Sequence, residues 1–194
     1  MTRLMRCQQP SIPWCQFKFV TTPDAPASID NFADEIASAQ ASFKVVLQRL
    51  ESDVYAPRRK IPAIVVGCFS DHPLTQMLRE RFATDDQERQ PAVLNLLQGA
   101  VYSALATGDK FGVVTTLPSM VEDIENGVYK AIGTTSSTRF VGVETIGFSA
   151  GEVNQHATEA DADPKQVLTN IHKAIDRLKA RGAKTVILGC SGAC

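Results

Sequence analysis

The residues best suited to chemistry are two cysteines in nearly duplicate settings. Ile64-Val65-Val66-Gly67-Cys68-Phe69-Ser70 and Val186-Ile187-Leu188-Gly189-Cys190-Ser191-Gly192 are each an apolar run that stops at a Gly-Cys pair. A strand that ends this way presents a thiol where its buried run reaches the surface. Two such thiols, brought to one small substrate from opposite sides, suit removal of a proton from one face of a carbon and its return to the other. A free thiol has a pKa of about 8.5, so either cysteine can act as thiolate base or thiol acid near neutral pH. If the carbon lies next to a carbonyl, the scheme requires no metal or pyridoxal cofactor.

Such a site also needs donors for the thiolate and for the enolate-like intermediate. Backbone N–H groups of Phe69, Ser70, Ser191 and Gly192 are expected to supply them if a helix or tight turn follows each strand. The hydroxyls of Ser70, Thr115 and Thr116 are expected to hold a carboxylate or imide oxygen.

The elements that must position these groups follow from patterning. Gln16 to Thr21 alternates like a strand, and Thr22 to Ser28 is a proline-punctuated loop. Asp30 to Leu50 has helical periodicity through Phe32, Ile36, Ala39, Phe43 and Val46, with Asp30 as the expected N-cap. After a basic connector, Ala63 to Cys68 is a continuous apolar run expected to be a strand covered on both faces. Pro73 to Phe82 reads as a helix, Thr84 to Gln90 as an exposed loop, and Ala92 to Leu94 leads into a helix over Asn95 to Ala106. Lys110 to Thr115 and Phe140 to Thr145 are strands, and a Ser119/Glu122 capping box is expected to open the helix between them, ending near Ile132. An acidic loop over Thr158 to Asp163 precedes a helix from Pro164 to about Arg181, which Gly182 ends, and Thr185 to Leu188 is the last strand.

Strands alternating with helices imply an α/β protein with mostly parallel sheets. The repeated Gly-Cys strands suggest a weak internal duplication with a boundary near Gln98, dividing the chain into residues 1–97 and 98–194. In open α/β sheets ligands sit beyond the carboxyl ends of strands, where both cysteines fall.

Composition excludes several function classes. The 194 residues carry 20 basic and 21 acidic side chains, without the basic excess that a nucleic-acid or anionic-membrane surface needs. No run approaches the roughly 20 apolar residues that span a bilayer, and the N-terminus has no apolar core of a secretory signal. Five cysteines with no dense framework point to free thiols and a cytoplasmic setting. The segment Gly147 to Gly151 lacks a dinucleotide-binding fingerprint, and Thr134 to Thr138 reads as a loop.

Other candidates have plainer readings. Cys7 and Cys15 are expected to be small core hydrophobes, and Cys194 has no Cys/His cluster with which to bind zinc. His72 either acts near Cys68 or sits exposed in the first turn of a helix; His156 is placed in a loop and His172 on a helix, both at the surface.

Four blocks carry a resemblance: Gly67-Cys68-Phe69-Ser70-Asp71-His72-Pro73-Leu74, Lys110 to Thr116, Arg139 to Glu144, and Leu188 to Gly192. Together they resemble the hydantoin racemase branch of the aspartate/glutamate racemase superfamily, especially its fungal members. The resemblance implies two Rossmann-like lobes with the substrate cleft between them and cofactor-independent proton transfer by one cysteine from each, here Cys68 and Cys190. It implies an isomerase acting on hydantoins, ureides such as allantoin, or amino acids, and dimerisation as family behaviour.

Lyases and cis-trans isomerases on the same scaffold are one alternative, and a shortened, non-catalytic relative is another. The family's opening strand has no counterpart in Met1 to Cys15, nor its return helix after Cys194, so the first lobe is expected to lack its first strand. Gln98 stands where many relatives have Glu.

Overall fold

The structure, a computed structural model, describes residues 17–54, 63–83, 90–158 and 164–190. Two parallel sheets organise these residues. The first pairs β1 (Ala63–Val66) with β2 (Ala92–Asn95) in the register Ala63↔Ala92 to Val66↔Asn95. The second has the order β4-β3-β5, with β3 (Phe111–Thr115) between β4 (Phe140–Thr145) and β5 (Thr185–Leu188). The helices are α1 (Phe32–Val54), α2 (Pro73–Phe82), α3 (Leu96–Ala106), α4 (Val121–Ile132), α5 (Ala150–Thr158) and α6 (Pro164–Ala180).

The second sheet is covered on both faces, as a parallel sheet requires. Phe111, Val113, Phe140 and Val143 pack on Leu97, Val101, Ile124 and Val128 of α3 and α4. On the other face Val114 joins Val153 of α5 and Val167, Ile171, Ala174 and Leu178 of α6. Every residue of β3 is buried, so its alternate side chains feed both cores.

The first sheet differs from expectation. Its core consists of Val66 and Val93 against Ala39 of α1 and Leu74 and Leu78 of α2, whereas Val65 is 60% exposed. The continuous apolar run of β1 is therefore covered on one face only. Helix α3 spans the 97/98 division expected from the sequence, capped by Asn95 and Gln98 in a reciprocal capping box. The Gln98 side-chain oxygen also accepts from Arg79 at 2.9 Å, which gives this position a structural role.

Several local expectations are corrected. Residues 17–21 form no strand; the Phe17 and Phe19 rings stack on each other, 6.4 Å between centroids, and both are exposed. Gln16, Cys7, Cys15 and Cys194 lie outside the described residues, as do the connector at 55–62 and the loops at 84–89 and 159–163.

Helix α1 is capped by Asn31, whose side-chain oxygen accepts from the Asp34 N–H at 3.0 Å. Asp30 serves α5 instead: its carboxylate accepts from the Ala150 N–H at 3.2 Å. Ser119 forms no capping box; it lies in a short 3-10 turn and donates to the Asp30 carbonyl at 2.6 Å. Helix α5, which holds His156 and begins where a loop was expected, has its own box: Ser149 Oγ accepts from the Glu152 N–H and the Glu152 carboxylate from the Ser149 N–H.

Candidate active site

Cys68 lies one residue past β1, after Gly67, and Cys190 one residue past β5, after Gly189, each beyond the carboxyl end of its strand. The two Gly-Cys segments meet. A Cβ at Gly189 would lie 2.9 Å from two atoms of the Phe69 ring and 3.0 Å from the Val114 carbonyl oxygen, so only glycine admits this approach. The Gly189 N–H donates to that same carbonyl at 2.7 Å, which fixes the segment to β3. Cys190 is close enough to Cys68 for its charge to oppose ionisation of the Cys68 thiol.

The loop carrying Cys68 is held from several sides. His72, 2% exposed, caps α2: its Nδ1 accepts from the Leu74 N–H at 3.3 Å. Burial lowers its pKa to about 4, so it is neutral at physiological pH and its remaining proton resides on Nε2. His72 is thus neither exposed nor a proton donor of the imidazolium type. Helix α4 grips Asp71 through a Lys130 ion pair at 2.6 Å and through the Asp123 carboxylate, which accepts from the Asp71 N–H at 3.3 Å.

Gly127 of α4 makes that grip possible, because a Cβ there would lie 2.4 Å from Leu97 Cδ2 and 3.2 Å from Asp71 Cβ. Gly127→Ala gains helix propensity of about 1 kcal/mol but introduces this clash. A net loss of about 1–2 kcal/mol in urea unfolding is the expected result.

Cys68 itself is half-buried, and its Sγ lies 3.4 Å from Ser70 Oγ. Burial, then the negative charges of Glu35, Asp123 and Cys190, push its pKa to about 11, with Ser70 opposing the rise. At neutral pH Cys68 is therefore a thiol.

Glu35 of α1 is the residue that sequence reasoning missed. It is 0% exposed, and neither carboxylate oxygen has a donor at hydrogen-bonding geometry, although Ser70, Asp123 and Asp71 lie near enough to affect its charge. Burial raises its pKa to about 7. The signal was present in the spacing: Glu35, Ser38 and Ala39 share the buried face of α1, while Phe32 and Ile36 of the apolar stripe are exposed.

Because the folded-state pKa exceeds the ordinary 4.5, the folded protein holds the extra proton between those values. Stability is full below pH 4.5 and declines as pH rises through 7. Glu35→Gln is therefore expected to exceed the native protein at pH 8 by up to about 3 kcal/mol in urea unfolding, and to match it near pH 4.

Of the other expected site residues, Phe69 lies against Gly189, and Ser70 is buried between Cys68 and Glu35. Thr115 and Thr116 are buried at the end of β3, where their carbonyls accept from Ile146 and Gly147. Ser191 and Gly192 lie outside the described residues. Helix α2 starts only at Pro73, so Phe69 and Ser70 precede its first turn. An open apolar depression lined by Val65, Phe69, Leu94, Leu96, Ile187 and Leu188 adjoins the two segments. Among the described residues no group of three or more His, Cys, Asp or Glu is placed to hold a metal, and no helix is long and apolar enough to cross a membrane.

Parallel sheets covered by helices define an α/β protein in which two Gly-Cys segments distant in sequence come together at Phe69 and Gly189. The chain belongs to the Asp/Glu/hydantoin racemase family, whose model matches residues 1–194, and this is a family of isomerase-type enzymes.

Among its relatives, an uncharacterized protein of Schizosaccharomyces pombe is 29% identical over 187 residues, covering 96% of this chain and 68% of that protein. A hydantoin racemase of Rhizobium meliloti is 28% identical over 170 residues, covering 87% of this chain and 60% of that enzyme. The crystal structure of an allantoin racemase from Pseudomonas fluorescens matches the fold with a TM-score of 0.65 at 20% identity, over 89% of this chain and 63% of that one. The chain thus spans less than two thirds of the length of these two racemases.

Proposed function

We propose that the protein is a cofactor-independent racemase that moves a proton between the two faces of a carbon next to a carbonyl, with Cys68 and Cys190 as the acid and base. The observation that carries this reading is the meeting of the two Gly-Cys segments at Phe69 and Gly189. The approach of the two segments supports one thiol from each serving a shared substrate, as transfer between opposite faces demands. The hydantoin racemase relative and the allantoin racemase neighbour favour a cyclic ureide as substrate over a free amino acid.

Cys68, held as a thiol by burial, delivers the proton in the first direction while Cys190 removes one from the opposite face. The roles exchange for the other enantiomer. Developing charge on the carbonyl oxygen is met by N–H groups of the two loops, Phe69, Ser70, Ser191 and Gly192, with Thr115 or Thr116 at the end of β3 holding an imide oxygen. The site lies between residues 1–97 and 98–194, each range supplying one cysteine. The protein is read as cytoplasmic and as acting on a small molecule.

Polarimetry of (S)-allantoin and L-5-benzylhydantoin tests the reading. Decay of optical rotation to zero faster than the spontaneous rate, with no release of carbon dioxide, is expected. Carbon dioxide release would instead establish a lyase on this scaffold.

A further inference from the structure

The buried carboxyl of Glu35 is not used by two-thiol chemistry, yet it stands beside it. Its oxygens are shielded from solvent and lack hydrogen-bond donors, while Ser70, itself 0% exposed, bridges the space between Glu35 and Cys68. A serine hydroxyl has one proton to donate. It can serve an ionised Glu35 or an ionised Cys68, but not both.

We propose that Glu35 is a positioning residue that governs whether the Ser70 hydroxyl donates to the Cys68 sulfur. When Glu35 is neutral, its own proton has the Asp123 carboxylate beside it as an acceptor, and the Ser70 hydroxyl is free to turn to the thiolate. When Glu35 is ionised it claims the Ser70 proton and adds a negative charge near the sulfur, so the thiolate loses a donor and gains a repulsive neighbour. Both effects act in one direction, toward the thiol. Only the value of this switch to turnover rests on the racemase reading; the coupling itself belongs to the resting protein.

The groups facing Glu35 are few. Ser70 and Asp71 come from the β1–α2 loop, Asp123 from α4, and the Asp71 charge is paired with Lys130. Burial and the neighbouring Asp71 raise the pKa of Asp123, and His72 on the same loop titrates near 4, below the range of interest. Glu35, with a pKa near 7, changes charge in the physiological window.

The experiment measures the rate at which iodoacetamide alkylates Cys68, from pH 5.5 to 9.5, in the full chain. Tryptic digestion isolates Cys68 in the peptide Ile61 to Arg79, which contains no other cysteine. Thiolate is the reacting species, so an uncoupled thiol gives a logarithmic rate that climbs with unit slope. The native protein is expected to show a shelf centred near pH 7, where the rate falls about three- to tenfold below the line extrapolated from lower pH.

Glu35→Gln is expected to remove the shelf, and Ser70→Ala, with Glu35 intact, to reduce it by at least half. A native profile with unit slope throughout overturns the proposal, as does a shelf that persists in Glu35→Gln. A full-sized shelf in Ser70→Ala overturns the route through the hydroxyl. None of these readings depends on turnover, so failure of the coupling and failure of the racemase reading are separately visible.

Discussion

Replacing either Cys68 or Cys190 by alanine is expected to lower enzyme-dependent racemisation of a ureide by about 10²- to 10⁴-fold, the range lost when a positioned acid or base is removed. The two losses should be similar in size, because each variant lacks the acid in one direction and the base in the other. Burial of Cys68 sharpens the expectation: its pKa near 11 makes it a poor surface nucleophile but a retained proton carrier. The thermal stability of Cys68→Ala should stay close to native, since the side chain is only half-buried and its polar contact is one long bond to Ser70. Activity measured beside thermal unfolding separates loss of chemistry from loss of fold.

Gly189→Ala is expected to be the most damaging substitution that leaves every proposed catalytic group in place. The added methyl would press on the Phe69 ring at 2.9 Å and on the Val114 carbonyl at 3.0 Å. The ring could turn away, but the carbonyl is a backbone atom of the buried central strand and also accepts the Gly189 N–H. The last segment must therefore shift, and Cys190 shifts with it. Overpacking of this kind costs about 1–3 kcal/mol, and a displacement approaching 1 Å between reacting groups can cost about 10²-fold in rate. Racemisation should fall at least about tenfold in Gly189→Ala, more than in Gly127→Ala, where the clash is farther from the sulfurs.

Strands β4 and β5 and helix α2 were legible to the residue, because period and punctuation agree there: Pro73 opens its helix, and Gly182, at φ +94°, lies between the last helix and the last strand. Capping was less legible. Ser119/Glu122 and Ser149/Glu152 carry the same S-x-x-E spacing, yet only the second forms a box. Ser119 is drawn away by the Asp30 carbonyl, a partner 89 positions earlier that no local window includes.

The face of α1 misled for a related reason. Hydrophobic periodicity places Phe32 and Ile36 inside, whereas the helix turns Glu35, Ser38 and Ala39 inward, and Glu35 faces the Cys68 loop. A polar residue on a buried face breaks the consistency expected of a core, which the hydrophobic pattern alone does not reveal. The Gly-Cys repeat was visible because it is local to each segment; their meeting through Phe69 and Gly189 depends on tertiary packing.

The most direct test of the two-thiol account is proton NMR in deuterium oxide, following the C5 hydrogen of L-5-benzylhydantoin and of allantoin with the native protein, Cys68→Ala and Cys190→Ala. Both compounds exchange spontaneously, so the quantity of interest is the excess rate above buffer alone. The account predicts an excess accompanied by stereoinversion for the native protein and loss of the inversion in both variants, the variant that keeps the base facing the C5 hydrogen exchanging it with retention. Undiminished inversion in either variant, or no excess from folded native protein with either compound, would contradict it.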